Sequence, residues 1–198
     1  MKKRIGWIDV AKAICILSVI IGHMDNENIT KVVYAYHLTL FFILSGYTLK
    51  KQKIDKEFIK KKFSRLMKPY FITCICITIM DIFNTIFLYH NNSISSILSV
   101  VKIDIKRSIF ASGSIRYFGN YNIGGRIGAI WFLPALLFAI IISEFILLKS
   151  KKWVTRYLIG ICLFVVGYVS AKYIWLPFSI QSSLFAVPFI LFGKWIKE

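Results

Sequence analysis

The chain has 198 residues, 57% of them hydrophobic and only 18% charged, whereas a soluble domain carries about 25% charged and about 45–50% apolar residues. The formal charge of +17 raises nucleic acid as a partner, but that function wants its cations on one face with aromatics between them. Here Lys and Arg fall in blocks between apolar runs of bilayer-crossing length, about 20 residues; this pattern marks topology and contact with anionic membrane lipid and excludes a nucleic-acid partner.

The first apolar run, from Trp7 to His23, has no short hydrophobic core followed by a small-residue cleavage site, and reads as a retained span. Asp9 and Lys12 lie near its start, at an i,i+3 spacing that lets them pair on one helical face. His23 follows Arg4 by nineteen residues, which places it roughly 28 Å deeper along a helix. The second span runs from Val33 to Leu49 and carries His37 near its beginning, at a height similar to His23. The two histidines admit two readings: they face each other across a short helical hairpin, or each is an interfacial imidazole bonded to backbone.

Between Lys50 and Lys68 nine Lys and Arg residues stand against Asp55 and Glu57, the composition of a cytoplasmic loop. Pro69 then opens the third span, which ends near Tyr89; proline is tolerated in a first helical turn. Asp81 within that span has no partner legible in the sequence. His90 beside Asn91 and Asn92 reads as solvated.

The stretch from His90 to Arg126 is basic although it falls on the outer side. Ile94, Ile97, Leu98, Val101 and Ile105 recur at helical spacing opposite Ser95, Ser99, Lys102 and Lys106, the pattern of a helix lying in the interface. The glycine- and aromatic-rich part after it, Tyr117 to Gly125, reads either as a lid or entry loop or as a surface connector.

Three further spans follow: Ile127–Leu148, Val154–Ala171 and Ser182–Ile196. Glu144, near the inner end of the fourth, is placed to snorkel or to pair with Lys149. Lys2, Lys3 and Arg4, the 50–68 block, Lys149, Lys151 and Lys152, and Lys194 and Lys197 all fall on one side, which is cytoplasmic by the positive-inside rule. The fold class expected is all-α: a polytopic transmembrane helical bundle of about six spans, N-in and C-in, with residues 1–198 forming a single integral membrane domain.

Cys15, Cys74, Cys76 and Cys162 sit inside apolar runs and read as small packing residues, with no metal site or disulfide. No GxSxG elbow, phosphate loop, GxGxxG or zinc-spaced cluster occurs, so Ser nucleophiles, nucleotide hydrolysis and metal catalysis find no support.

Several phrases taken together resemble the membrane acyltransferase-3 family. They are Arg4-Ile5-Gly6-Trp7-Ile8-Asp9-Val10-Ala11-Lys12 followed by His23; Tyr36-His37 leading through Phe41-Phe42 to Ser45-Gly46-Tyr47; and Lys60-Lys61-Lys62-Phe63-Ser64-Arg65 leading to Pro69-Tyr70. Weaker echoes are Trp131-Phe132-Leu133 and Pro188-Phe189 with Gly193. The resemblance implies an O-acyltransferase that moves an acyl group, commonly acetyl from acyl-CoA (acetyl-CoA), onto a hydroxyl of a cell-envelope carbohydrate such as a surface polysaccharide. The phrase Trp131-Phe132-Leu133-Pro134 is similar to the sugar O-acetylase branch. By resemblance His23 is the catalytic histidine, and Lys62 and Arg65 occupy the basic positions of the acyl-CoA motif.

The chemistry also stands without the family. Transfer to a sugar hydroxyl needs a base or an acyl carrier, and an imidazole serves as either. His23 is the first candidate and His37 the second, with Asp9 and Lys12 as positioning residues. The phosphates of CoA need cationic donors, which Lys62 and Arg65 supply. Lys12 and Lys62 stand where the family usually has Arg, and an ammonium lacks the planar fork that binds phosphate in pairs. Family members have more membrane helices than are read here, which implies the N-terminal portion of the domain, completed by a missing C-terminal portion or an oligomer. The expected location is a cell membrane, the bacterial cytoplasmic membrane. The alternative is a non-catalytic transport or interaction module, or an inactive remnant.

Overall fold

The computed structural model describes residues 6–22, 27–49, 54–90, 92–114, 116–118, 121–125 and 127–198. Seven α-helices make up most of it: α1 Gly6–Ile21, α2 Glu27–Tyr47, α3 Lys56–Phe87, α4 Ile94–Phe110, α5 Phe132–Lys149, α6 Trp153–Tyr173 and α7 Ile180–Lys197. The all-α class expected from the sequence holds; among the described residues one short antiparallel ribbon, β1 Arg116–Phe118 with β2 Tyr121–Gly124, accompanies the helices. Among the described residues five helices are long and apolar enough to cross a membrane: α2, α3, α5 and α7 with the short turns that lead into the last two, and α6. With 16 residues, α1 spans about 24 Å, short of that length; the first span was expected to continue to His23, which lies outside the described residues.

Contacts between helices fix their directions. The rings of Trp7 on α1 and Tyr47 on α2 lie 5.2 Å apart, and the hydroxyls of Ser18 and Tyr36 lie 2.9 Å apart, so these helices are antiparallel. The Lys197 ammonium donates to the Leu49 carbonyl and sits 5.8 Å over the Tyr47 ring, so α7 runs parallel to α2. Gly160 of α6 faces Pro188 and Leu191, while Gly167 faces Gln181 and Leu184, which makes α6 antiparallel to α7. The start of α1 and the end of α7 therefore lie at the same end of the bundle, as the charge blocks require.

Small side chains fill part of the interior, beside larger ones such as Tyr70, Leu137 and Ile190. Ala135, Ala139 and Ser143 of α5 and Ser183 and Ala186 of α7 are fully buried. This suits a bundle in lipid, where close backbone approach rather than hydrophobic drive joins helices. The bulky residues Ile14, Leu17, Ile72, Ile75, Ile79, Val154, Leu158 and Val165 point outward, as a lipid-facing surface would.

The basic segment before Pro69 is helical instead of a loop. Asp55 is the N-cap of α3 and accepts from the Phe58 amide at 2.7 Å, which satisfies a donor that has no helical partner. The helix then runs 32 residues, about 48 Å, with Pro69 in its interior. Proline has no N–H, so the Arg65 carbonyl loses its helical donor there. Burial of Met67 and Tyr70 on either side of the proline holds the helix continuous.

As expected from its pattern, α4 is a helix with Ser95, Ser99 and Lys102 exposed, but one of its charged groups faces the bundle. It doubles back antiparallel along α3, with Asp104 buried against α3 and Ile94, Leu98 and Ile105 exposed. Its last carbonyls, which no helical amide can reach, are taken by side chains of other elements. Tyr70 donates to Ser108 at 2.6 Å, Trp175 Nε1 to Phe110 at 3.2 Å, and the Ser179 hydroxyl to Ala111. The turn before α7 supplies Ser179 by holding Phe178 and Ser179 at positive φ.

Candidate functional site

The basic end of the bundle gathers the expected cations on separate helices. On α3, Lys60, Lys61, Arg65 and Lys68 are exposed and Lys62 is half-buried, its ammonium 5.6 Å over the Phe58 ring. Lys62 and Arg65 are one helical turn apart and so share a face. From α1, the half-buried Lys12 comes within electrostatic reach of Arg65 as well as of Asp9. The structure thus joins Asp9, Lys12 and Arg65 across two helices whose neighbourhood the sequence did not reveal.

Lys62 belongs to a second group. Glu144 of α5 is 2% exposed and lies within electrostatic reach of Lys62 and of Lys194 on α7. Lys194 is itself buried and bonded to Glu198 at 3.2 Å. The expected pairing of Glu144 with Lys149 is not formed: Lys149 lies over the Phe145 ring at 5.9 Å. One turn of α5 separates Glu144 from Lys149, but the side chains leave the helix in different directions.

His37 is deeper than the sequence placed it. Because α2 begins at Glu27 and not at Val33, His37 is mid-helix, about 15 Å from Tyr47 at the basic end. Its side chain is buried, with Nδ1 2.6 Å from the Val33 carbonyl oxygen and the ring centroid 5.3 Å from that of Tyr34. A carbonyl only accepts, so Nδ1 donates this bond, and in the neutral tautomer that makes it Nε2 is the acceptor. This bond to backbone is the second of the two readings offered for the histidines.

The other catalytic candidate, His23, lies outside the described residues. Its neighbour Gly22 is buried against Val33 and Tyr34, where a Cβ would fall 2.8 Å from the Tyr34 ring. Thr30 donates to the Gly22 carbonyl at 3.3 Å. The end of α1 is therefore held one turn from His37 on α2. Following His37 on that helix, Leu38, Thr39 and Phe42 line a groove of about 210 Å³ with Trp131 and Phe185, Ala186 and Phe189 of α7.

A third polar cluster lies toward the other end. Arg107 of α4 meets Asp104 at 3.0 Å and Asp81 of α3 at 3.4 Å, giving Asp81 the partner that the sequence did not disclose. Burial and the facing Asp81 charge raise the Asp104 carboxyl above its ordinary value, against the opposing pull of Arg107 and Thr78. His90 is exposed, as read from its neighbours.

Sequence reasoning missed Glu144 with Lys194, and Arg107 as the partner of Asp81. The signal for the first was present: a lone carboxylate in an apolar run is costly and has a partner nearby. The partner comes from another helix, which nearness in sequence cannot supply.

A family model described as an acyltransferase domain matches residues 5–198. No curated protein and no solved structure matches the chain.

Proposed function

The chain belongs to the acyltransferase-3 family, and from that premise we propose that it transfers an acyl group, acetyl first, from cytoplasmic acyl-CoA to a hydroxyl of a cell-envelope carbohydrate. The reading places residues 1–198 in one integral membrane domain of the bacterial cytoplasmic membrane, with the basic end inside. The observation that carries it is the division of the bundle: cations from α1 and α3 converge at one end, while the imidazole of His37 is buried about 15 Å away from it.

In this reading Arg65 and Lys62 take the donor's phosphates, the guanidinium in pairs and the ammonium as a point charge. Asp9 offsets on α1 the repulsion between Lys12 and Arg65, so that both cations can face the donor. His23 removes the proton of the sugar hydroxyl as that oxygen attacks the acyl carbonyl, and coenzyme A leaves as its thiol. Alternatively the imidazole of His23 accepts the acyl group first and passes it to the hydroxyl. His37, with Nε2 unprotonated, orients the acceptor.

The test is His23→Ala in the native full-length protein, assayed for acyl-CoA-dependent acetylation of envelope carbohydrate. Loss of turnover with normal membrane insertion is expected. Full acetylation by the variant would end the assignment.

A further inference from the structure

Among the buried charges that the proposed donor site leaves unused is Glu144. Glu144 is 2% exposed, near the end of a helix packed on α7 and facing α3, and its Oε1 accepts no hydrogen bond among the described residues. An ionised carboxylate stripped of water and left with an empty lone pair is costly. It persists in such a place when a cation on another element compensates it. Two are within reach, but they differ. Lys194 is buried and already bonded to Glu198 at 3.2 Å. Lys62 is half-buried, one turn from Arg65 on the face proposed to hold the donor.

We propose that Glu144 is a positioning residue: from α5 it holds the Lys62 ammonium at the inner edge of the donor site, so that this point charge meets the phosphates of an acyl-CoA together with the Arg65 guanidinium. The inference rests on the donor reading given above. It accounts for a lysine standing where a guanidinium would bind phosphate in pairs. A Lys head has no fixed fork and four rotatable bonds, so its direction has to come from outside its own helix. The Phe58 ring beneath it and the Glu144 carboxylate beyond it provide that direction.

The experiment measures binding of coenzyme A to the intact purified protein for wild type, Glu144→Gln, Lys62→Met and the double variant. Glu144→Gln keeps the side-chain volume and removes the charge. It is expected to weaken coenzyme A about tenfold in wild type and to have no further effect once Lys62 is Met. Wild-type binding with an equal affinity in Glu144→Gln overturns the inference and leaves the donor reading standing. A wild-type chain that binds no coenzyme A removes the donor reading, and this inference with it. Where the single variants fail to fold, the exchanged pair Lys62→Glu with Glu144→Lys decides. Restored folding without restored coenzyme A binding is expected, because the pair is remade with its cation on the wrong helix; failure to restore folding overturns the pairing.

Discussion

Gly46 of α2 and Gly193 of α7 lie against each other's helix: a Cβ at Gly46 would overlap the Ile190 carbonyl, and one at Gly193 the Ile43 carbonyl. The obstacle is backbone on both sides, so no side chain can turn away to make room. Either Gly46→Ala or Gly193→Ala is expected to cost about 1–3 kcal/mol through overpacking and to separate the helices that flank the groove beside His37. Thermal unfolding in detergent measures it. Unchanged melting in both variants would show that the crossing is looser than described.

The cluster around Arg107 predicts a pH dependence of stability. Asp104 has its proton affinity raised in the folded protein by burial and by Asp81. The native state then holds more protons than the unfolded one, so stability falls as pH rises from about 4 through the raised value. Asp104→Asn, which cannot ionise, is expected to flatten this decline while keeping a polar group beside Arg107. Melting temperatures across pH for the two proteins check it, and parallel curves would contradict it.

How much was legible follows from which forces act along the chain and which across it. The apolar runs predicted most of the helices because hydropathy is local. Pro69 misled, since its helix-breaking tendency is local too, but the Asp55 cap and the burial of Met67 and Tyr70 outweigh it. The amphipathic pattern of α4 gave the helix and its exposed Ser95, Ser99 and Lys102, but not the burial of Asp104 against α3, where Asp81 and Thr78 lie. In the candidate site the residue types were readable and their partners were not. Lys12 comes within electrostatic reach of Arg65, and Glu144 of Lys62, only once the helices are assembled.

Reporter fusions test the orientation. Those placed after Lys56 and Lys151 are expected in the cytoplasm, and those near Glu27 and Gly119 outside, from the Lys and Arg excess at the end shared by Trp7, Tyr47 and Lys197. A cytoplasmic Glu27 fusion would put both histidines on the donor side and undo the division of labour.

The two basic positions of α3 are separable. Arg65→Ala is expected to weaken acyl-CoA by about ten- to a hundredfold, the equivalent of a charge-assisted hydrogen bond at about 1.5–3 kcal/mol. Lys62→Arg should leave binding intact or improve it, because the fork adds a second contact. Titration with acetyl-CoA at two salt concentrations measures both. Equal affinity in Arg65→Ala reduces the cluster to a topology signal.

His37 gives the prediction most dependent on geometry. Its Nδ1 is committed to the Val33 carbonyl at 2.6 Å, which fixes the ring and, in the neutral tautomer, makes Nε2 the acceptor. A group held this way can receive a hydrogen bond from a hydroxyl and orient it without taking the proton. Such a residue contributes to acceptor binding more than to the chemical step. His37→Ala is therefore expected to raise the acceptor KM severalfold and to lower kcat less than His23→Ala does. His37→Gln should recover part of the loss, since its amide can still bond the Val33 carbonyl or the acceptor. The pH profile separates the roles: the limb that reports the catalytic base survives in the His37 variants and disappears with His23. Loss of that limb in His37→Ala would move the base from α1 to α2, and His23 would then need another task.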